Sequence, residues 1–242
     1  MNKTLKKWLP AIITVCIIII IILISSKKNS LVLNTVEQKN VDYSKIEGIL
    51  QMLEKDDTKG NAANVLNELY NGFEKDDVYY LTNAKIIMET GNDIDAVSTL
   101  NYVKNKTEDY YRLRIRATAG QFFTLGEVPS DLLDTSVEAA NKYSDEVDFQ
   151  VLAGELYYDK DNYVGAIYYL DKALQIDDKN VDANYYYALS IYILGEQEEG
   201  ISYMEKAQKL YNGDDEEYKK SIENYIDIMK EGKRWEENIY TL

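Results

Sequence analysis

The chain has 242 residues, with 27 basic and 42 acidic side chains, a formal charge of −15, 22 tyrosines, one cysteine and no histidine. That inventory excludes hydrolases built on a histidine base, thiol redox centres and zinc sites made from nitrogen or sulfur ligands. An acidic surface also repels nucleic acid and anionic lipid, so neither is expected as the primary ligand.

Residues 1–28 form a segment of their own. Lys3, Lys6 and Lys7 precede an uncharged apolar run from Trp8 to Ile24, which includes the isoleucines Ile17 to Ile22. As a helix rising about 1.5 Å per residue, the run covers roughly 25 Å, the short end of what crosses a bilayer. Two readings are open, an uncleaved anchor and a cleaved secretory signal. Ile24-Ser25-Ser26-Lys27-Lys28 makes a poor cleavage site, which favours the anchor. Cys16 follows Val15, where a lipid-modified cysteine needs a small residue, so it reads as a small apolar member of the span. Three lysines and the amino group lie ahead of the run, and Lys27 and Lys28 follow it. The basic excess places the amino terminus in the cytoplasm and the rest of a single-pass protein outside the cell membrane. Beyond residue 28, 22 basic side chains face all 42 acidic ones, a formal charge of −20.

Residues 29–42 read as a tether. From residue 43 to 232 the hydrophobic pattern has helical spacing, interrupted by short polar turns. Residues 43–76 give a weak pair of helices, around Ile46 to Leu53 and Ala62 to Leu69, with Thr58-Lys59-Gly60-Asn61 between them. Residues 77–109 repeat the pairing with small residues at Ala84, Gly91 and Ala96 and large ones at Ile87 and Leu100. Residues 110–146 carry Ala119, Phe122 and Gly126, and Val128-Pro129-Ser130-Asp131 adds a small insertion before the next helix. Pro129 ahead of Ser130 and Asp131 suits a turn leading into a helix cap.

The pattern is clearest from residue 147. Gly154, Ala166 and Ala173 are small positions among the large Tyr157, Leu170, Leu174 and Ile176, with Asp159-Lys160-Asp161-Asn162 as the turn. A shift of 34 residues lands on Ala188, Gly200 and Ala207, with Ile191, Met204 and Leu210 in the large positions. Two copies in one phase mark a repeat array. Residues 215–231 then place Tyr218, Ile222, Tyr225 and Met229 on one stripe, as a terminal capping helix needs, and Gly232 should stop it. Residues 233–242 form a tail containing Trp235 and Tyr240.

This pattern resembles the tetratricopeptide repeat. It departs from that signature where Gln150 and Asn184 replace a usual tryptophan, and where Asp178 and Asn212 replace a usual proline. The resemblance implies an all-α, right-handed superhelix of about five helical hairpins plus a capping helix, preceded here by one transmembrane helix. It also implies that the first helix of each hairpin lines a concave groove for a protein or peptide. The positions implied are Val78, Leu81, Lys85, Met88 and Glu89; then Asp148, Val151, Glu155, Tyr158 and Asp159; then Asp182, Tyr185, Leu189, Tyr192 and Ile193. Of these, Leu81, Lys85, Met88, Val151, Glu155, Tyr158, Tyr185, Leu189 and Tyr192 are the leading candidates. Exposed tyrosines would offer large contact area at low entropic cost, and their replacement by alanine should then leave the fold intact. The alternative is that the rings fill gaps between hairpins.

Arg112 and Arg116 share a helix face and could clamp a carboxylate, although pairing with internal Asp and Glu is the simpler expectation. The carboxylate-clamp pattern of chaperone-binding relatives is not reproduced, since Leu81 and Lys85 stand in its place. Catalytic, cofactor and metal sites are not expected. No phosphate-cradling or nucleophile-elbow motif is present; Asp177-Asp178 and Asp214-Asp215 fall where turns and helix starts use carboxylates as caps; and Asp159-x-Asp161-x-Tyr163 lacks the third ligand of a calcium loop. The function expected is a non-catalytic scaffold holding a partner protein at the membrane. A structural subunit of an envelope assembly, such as secretion, conjugation or pilus machinery, and a small-ligand or enzymatic domain are the other classes left open.

Overall fold

The computed structural model describes residues 41–125 and 129–232. The anchor with Cys16, nearly all of the tether, Gly126 and the tail with Trp235 and Tyr240 lie outside the described residues, as does the side chain of Phe122. Among the described residues no helix is long and apolar enough to cross a membrane.

All regular structure among the described residues is helical. A 3₁₀ turn, Tyr43–Lys45, precedes α1 (Ile46–Met52), α2 (Asp56–Lys59), α3 (Ala62–Leu69), α4 (Asp77–Glu89), α5 (Asp93–Leu100), α6 (Glu108–Leu125) and α7 (Asp131–Lys142). Then follow α8 (Val147–Asp159), α9 (Tyr163–Ile176), α10 (Val181–Ile193), α11 (Gln197–Leu210) and α12 (Glu216–Lys230). The chain divides within α7 into two compact units, one running through Thr135 and the other from Ser136 onward.

In the N-terminal unit α1 packs on α3 and α4, α4 on α5 and α6, and α5 on α6. Its first core gathers Ile46, Ile49, Leu66, Tyr70, Tyr79 and Ile86. The turn expected at residues 58–61 is instead occupied partly by the extra helical turn α2, held where Thr58 Oγ1 donates to the Met52 carbonyl at 2.9 Å. Val128 of the expected insertion lies outside the described residues; at Pro129, Leu132 N–H donates to the proline carbonyl at 3.2 Å as α7 begins.

In the C-terminal unit each helix packs on the next, and α8 also touches α10. The 34-residue shift is literal: Val147 and Val181 open the first helices of successive hairpins, and Tyr163 and Gln197 open the second. Small residues stand where the helices cross. Ala166, Ala173, Ala188 and Ala207 are fully buried. A Cβ on Gly154 would lie 2.5 Å from Leu170 Cγ, and one on Gly200 would lie 2.8 Å from Tyr192 Cβ and 3.0 Å from the Ala188 carbonyl oxygen. Each fully buried leucine or methionine here, such as Leu170, Leu189 and Met204, contributes about 1.5–3 kcal/mol through its removal from water.

Turn chemistry follows the same period. Asp161 and Gly195, equivalent positions in the two hairpins, both adopt positive φ, 58° and 108°. Asn162 caps α9 through its side chain to Gly165 N–H at 3.0 Å, and Asn180 caps α10 to Ala183 N–H at 2.8 Å. The two departures from the usual tryptophan also have a shared use. Gln150 Nε2 donates to the Ala140 carbonyl in α7 and to the Ser144 carbonyl in the turn after it, and Asn184 Nδ2 donates to the Asp178 and Asn180 carbonyls, so each amide ties the start of its hairpin to the segment before it. The cap helix α12 buries Ile222, Ile226 and Met229 and leaves Lys219, Lys220 and Glu223 exposed.

Candidate partner-binding face

The first helices of the hairpins in the C-terminal unit, α8 and α10, share a face with the cap helix α12. Tyrosines and carboxyls alternate along it. Tyr158 meets Tyr186 at a ring separation of 5.5 Å, and Tyr185 meets Tyr218 at 5.6 Å and Tyr225 at 5.8 Å. These edge and tilted contacts make a continuous aromatic wall. Tyr218 donates its hydroxyl to Asp182 Oδ1 at 2.6 Å, Tyr186 donates to Glu155 Oε1 at 3.3 Å, and the Tyr185 and Ser221 hydroxyls lie 3.3 Å apart.

Glu155 is the unusual member. Its side chain is fully buried and Oε2 has no hydrogen-bond partner. Burial drives its pKa well above the ordinary value; Asp159 and Asp182 add repulsion, and only the Tyr186 hydroxyl opposes them. Asp159, one turn further along α8, is pushed up to about 6, first by burial and then by Asp161, against Lys160. Asp182 is raised by burial and by Asp148, with the Tyr218 hydrogen bond opposing. Among the described residues no basic side chain forms an ion pair with these three carboxyls. Elsewhere in the unit such pairs exist, Lys206 with Asp178 at 3.6 Å and Lys230 with Glu205 at 2.7 Å.

The structure changes the part that several expected groove residues can play. Tyr192 is 1% exposed and donates to the Met229 carbonyl at 3.0 Å; Leu189 is 1% exposed; Val151, Tyr185 and Ile193 are also buried. Tyr185 and Tyr192 form wall and floor beneath the face, because α12 closes over α10 and meets both side chains. Tyr192 is therefore a core residue, and its replacement cannot leave stability untouched. Tyr158, Asp148, Asp159 and Asp182 are half-buried and reach the surface. The repeat register does not point to Tyr218, Tyr225 or Ser221, although the stripe on residues 215–231 holds both tyrosines. From sequence a cap helix is only a lid, whereas here it extends the row of first helices.

In the N-terminal unit Leu81 and Met88 are buried, and Lys85 is half-buried. Desolvation lowers the Lys85 pKa and Arg116 lowers it further, against Asp109. The arginines pair internally. Arg112 Nε donates to Glu108 at 2.6 Å, Arg114 to Asp131 at 3.0 Å and Arg116 to Glu89 at 3.2 Å, with Lys59 on the same glutamate at 3.5 Å. Each guanidinium is thus engaged by an internal carboxylate. The adjacent acids do cap backbone: Asp215 accepts from Glu217 and Tyr218 N–H, and Asp177 from Lys179 N–H. Among the described residues no group of three or more acids or cysteines is placed to hold a metal ion.

No protein-family model matches the chain, and no curated protein does. It is similar in structure to MamA in two crystal structures. One is 18% identical, with a TM-score of 0.53, over 69% of this chain and 92% of that one; the other is 16% identical, with a TM-score of 0.52, over 72% and 96%. The fold is tetratricopeptide-like. A weaker likeness is to TTC0263, a thermophilic tetratricopeptide-repeat protein of Thermus thermophilus, at 12% identity and a TM-score of 0.44 over 77% of this chain and 97% of that one.

Proposed function

We propose that this chain is a non-catalytic scaffold, anchored in the cell membrane by residues 1–28 with its amino terminus in the cytoplasm, that captures a segment of a partner protein. The tetratricopeptide-like repeats present the capturing face outside the membrane. The observation that carries this reading is the band of half-buried tyrosines and carboxyls on α8, α10 and α12. Aromatic rings fixed by their neighbours bury large area on binding while losing little freedom, and the carboxyls supply charge recognition.

Two experiments test it. Affinity purification of the tagged full chain from membranes, beside a Tyr158→Ala/Tyr218→Ala variant, should recover a partner with the first and lose it with the second; equal recovery would refute the face. For the anchor, Glu198→Cys in a Cys16→Ser background should react with a membrane-impermeant maleimide in intact cells. Labelling only after lysis would reverse the topology.

A further inference from the structure

We propose that one end of the N-terminal unit rests on the lipid surface, with Tyr102 and Phe73 entering the headgroup layer and Lys75 and Lys104 reaching lipid phosphates. This rests on the membrane anchor of the proposed function and gives the chain a second contact with the bilayer. Two neighbouring aspartates build that end. Asp76 accepts from the Tyr43 hydroxyl at 2.5 Å, the Tyr70 hydroxyl at 2.8 Å and Tyr79 N–H at 3.0 Å. Asp77 accepts from Lys104 N–H at 2.8 Å and Asn105 N–H at 2.9 Å. The point where the chain enters the fold, the turn ahead of α4 and the segment between α5 and α6 are thereby held together.

A row of rings crosses the same end. Lys75 Nζ stands 4.3 Å from the Tyr79 ring, Tyr79 meets Tyr80 edge-on at 5.5 Å, and Tyr80 stacks on Tyr102 at 5.2 Å. Tyr102 is 64% exposed, and Phe73, whose N–H donates to the Tyr70 carbonyl, is 38% exposed. A ring backed by its neighbour and open to solvent suits the headgroup layer, which solvates an apolar body and a polar hydroxyl together. Lysine stems lie along such a surface while their ammonium groups meet phosphate.

The reach of the chain selects lipid as the occupant. Val41 is buried in the first core, which fixes the point of entry. Residues 29–40, fully extended, span at most about 43 Å, so an anchored chain holds Tyr43, and the rings tied to it through Asp76, close to the bilayer. Charge agrees. Residues 41–45, 70–77 and 101–107 hold Lys45, Lys75, Lys104 and Lys106 against Asp42, Glu74, Asp76 and Asp77, equal numbers, whereas everything beyond residue 28 sums to −20. A zwitterionic lipid surface meets no net charge here, and the acidic remainder stays in water.

The test uses the full chain in a Cys16→Ser background, reconstituted into phosphatidylcholine vesicles with and without lipid bearing a nitroxide beside its headgroup. An environment-sensitive fluorophore is attached at Asn105→Cys, exposed at the proposed seat, or at Ile94→Cys, exposed at the start of α5. Ile94 lies at the far end of the same hairpin, about 20 Å away along the 13 residues of α4. The nitroxide should remove most of the fluorescence at residue 105 and little at residue 94. Phe73→Ser/Tyr102→Ser, at two exposed positions, should keep helicity and abolish the difference. Equal quenching at the two sites, or a difference that survives in the double variant, would overturn the proposal. Flotation of the vesicles separates it from the anchor. A chain that floats without quenching at residue 105 keeps its anchor and loses the lipid seat, and a crosslink from residue 105 to a membrane protein in cells would then give this end to a protein partner. A chain that does not float refutes the anchor and the seat with it.

Discussion

Replacing Glu155 by glutamine should stabilise the C-terminal unit, and by an amount that depends on pH. A glutamate whose folded pKa is raised binds a proton on folding, so its favourable contribution is complete below its ordinary value of 4.5 and is lost as pH rises. Each pH unit above that value through which the carboxyl stays neutral costs about 1.4 kcal/mol, so at most about 3 kcal/mol can accumulate by pH 7 and at most about 0.7 kcal/mol by pH 5. Glutamine has the same shape and no ionisation cost, and its amide can accept the Tyr186 hydrogen bond as the carboxyl does. Urea unfolding of the full chain in detergent, followed by circular dichroism at pH 5 and pH 7, measures the difference. The variant should gain more at pH 7, up to about 3 kcal/mol, than at pH 5, where the gain stays under about 1 kcal/mol. An equal effect at the two pH values, or a loss at pH 7, would show that Glu155 is not a buried, strained acid.

Three further substitutions probe the hairpins. Gly154→Ala drives a methyl into Leu170 and should cost about 1–3 kcal/mol in the same unfolding assay, whereas Gly48→Ala, with open space around it, should not destabilise. Tyr192→Ala should cost about 3–5 kcal/mol, since it removes a buried ring and its hydrogen bond to Met229, while Tyr168→Ala at a 55% exposed position should stay within about 0.5 kcal/mol. Asp161→Gly should raise the melting temperature slightly, because the left-handed turn that Gly195 accepts freely is strained for aspartate, and the exposed hydrogen bond from Tyr163 offsets only part of that gain.

The hairpins were legible because close helix packing demands small residues, and Gly154, Ala166, Ala188 and Gly200 recur at the spacing of that demand. The start of the last helix was legible from Asp215, whose side chain occupies orphan backbone donors as an acid at that place is expected to. The site was harder to read. A repeat register assigns a residue to a helix face, and it placed Tyr158, Tyr185 and Tyr192 together. Depth depends on what covers the face, and α12 has no equivalent in the register that would announce it as cover for Tyr192 and neighbour for Tyr185. Glu155 looked like a surface acid for the same reason, since nothing local in its sequence shows that Tyr186 from the next hairpin closes over it.

Photocrosslinking in intact membranes tests the central claim most directly, with benzoylphenylalanine in place of Tyr158, Tyr218 or Tyr168. The first two lie on the face of α8, α10 and α12, and Tyr168 lies exposed on the second helix of its hairpin. Adducts to the same partner from the Tyr158 and Tyr218 positions, with none from Tyr168, are the predicted result. Adducts from Tyr168 alone would place capture on the second helices and contradict the account.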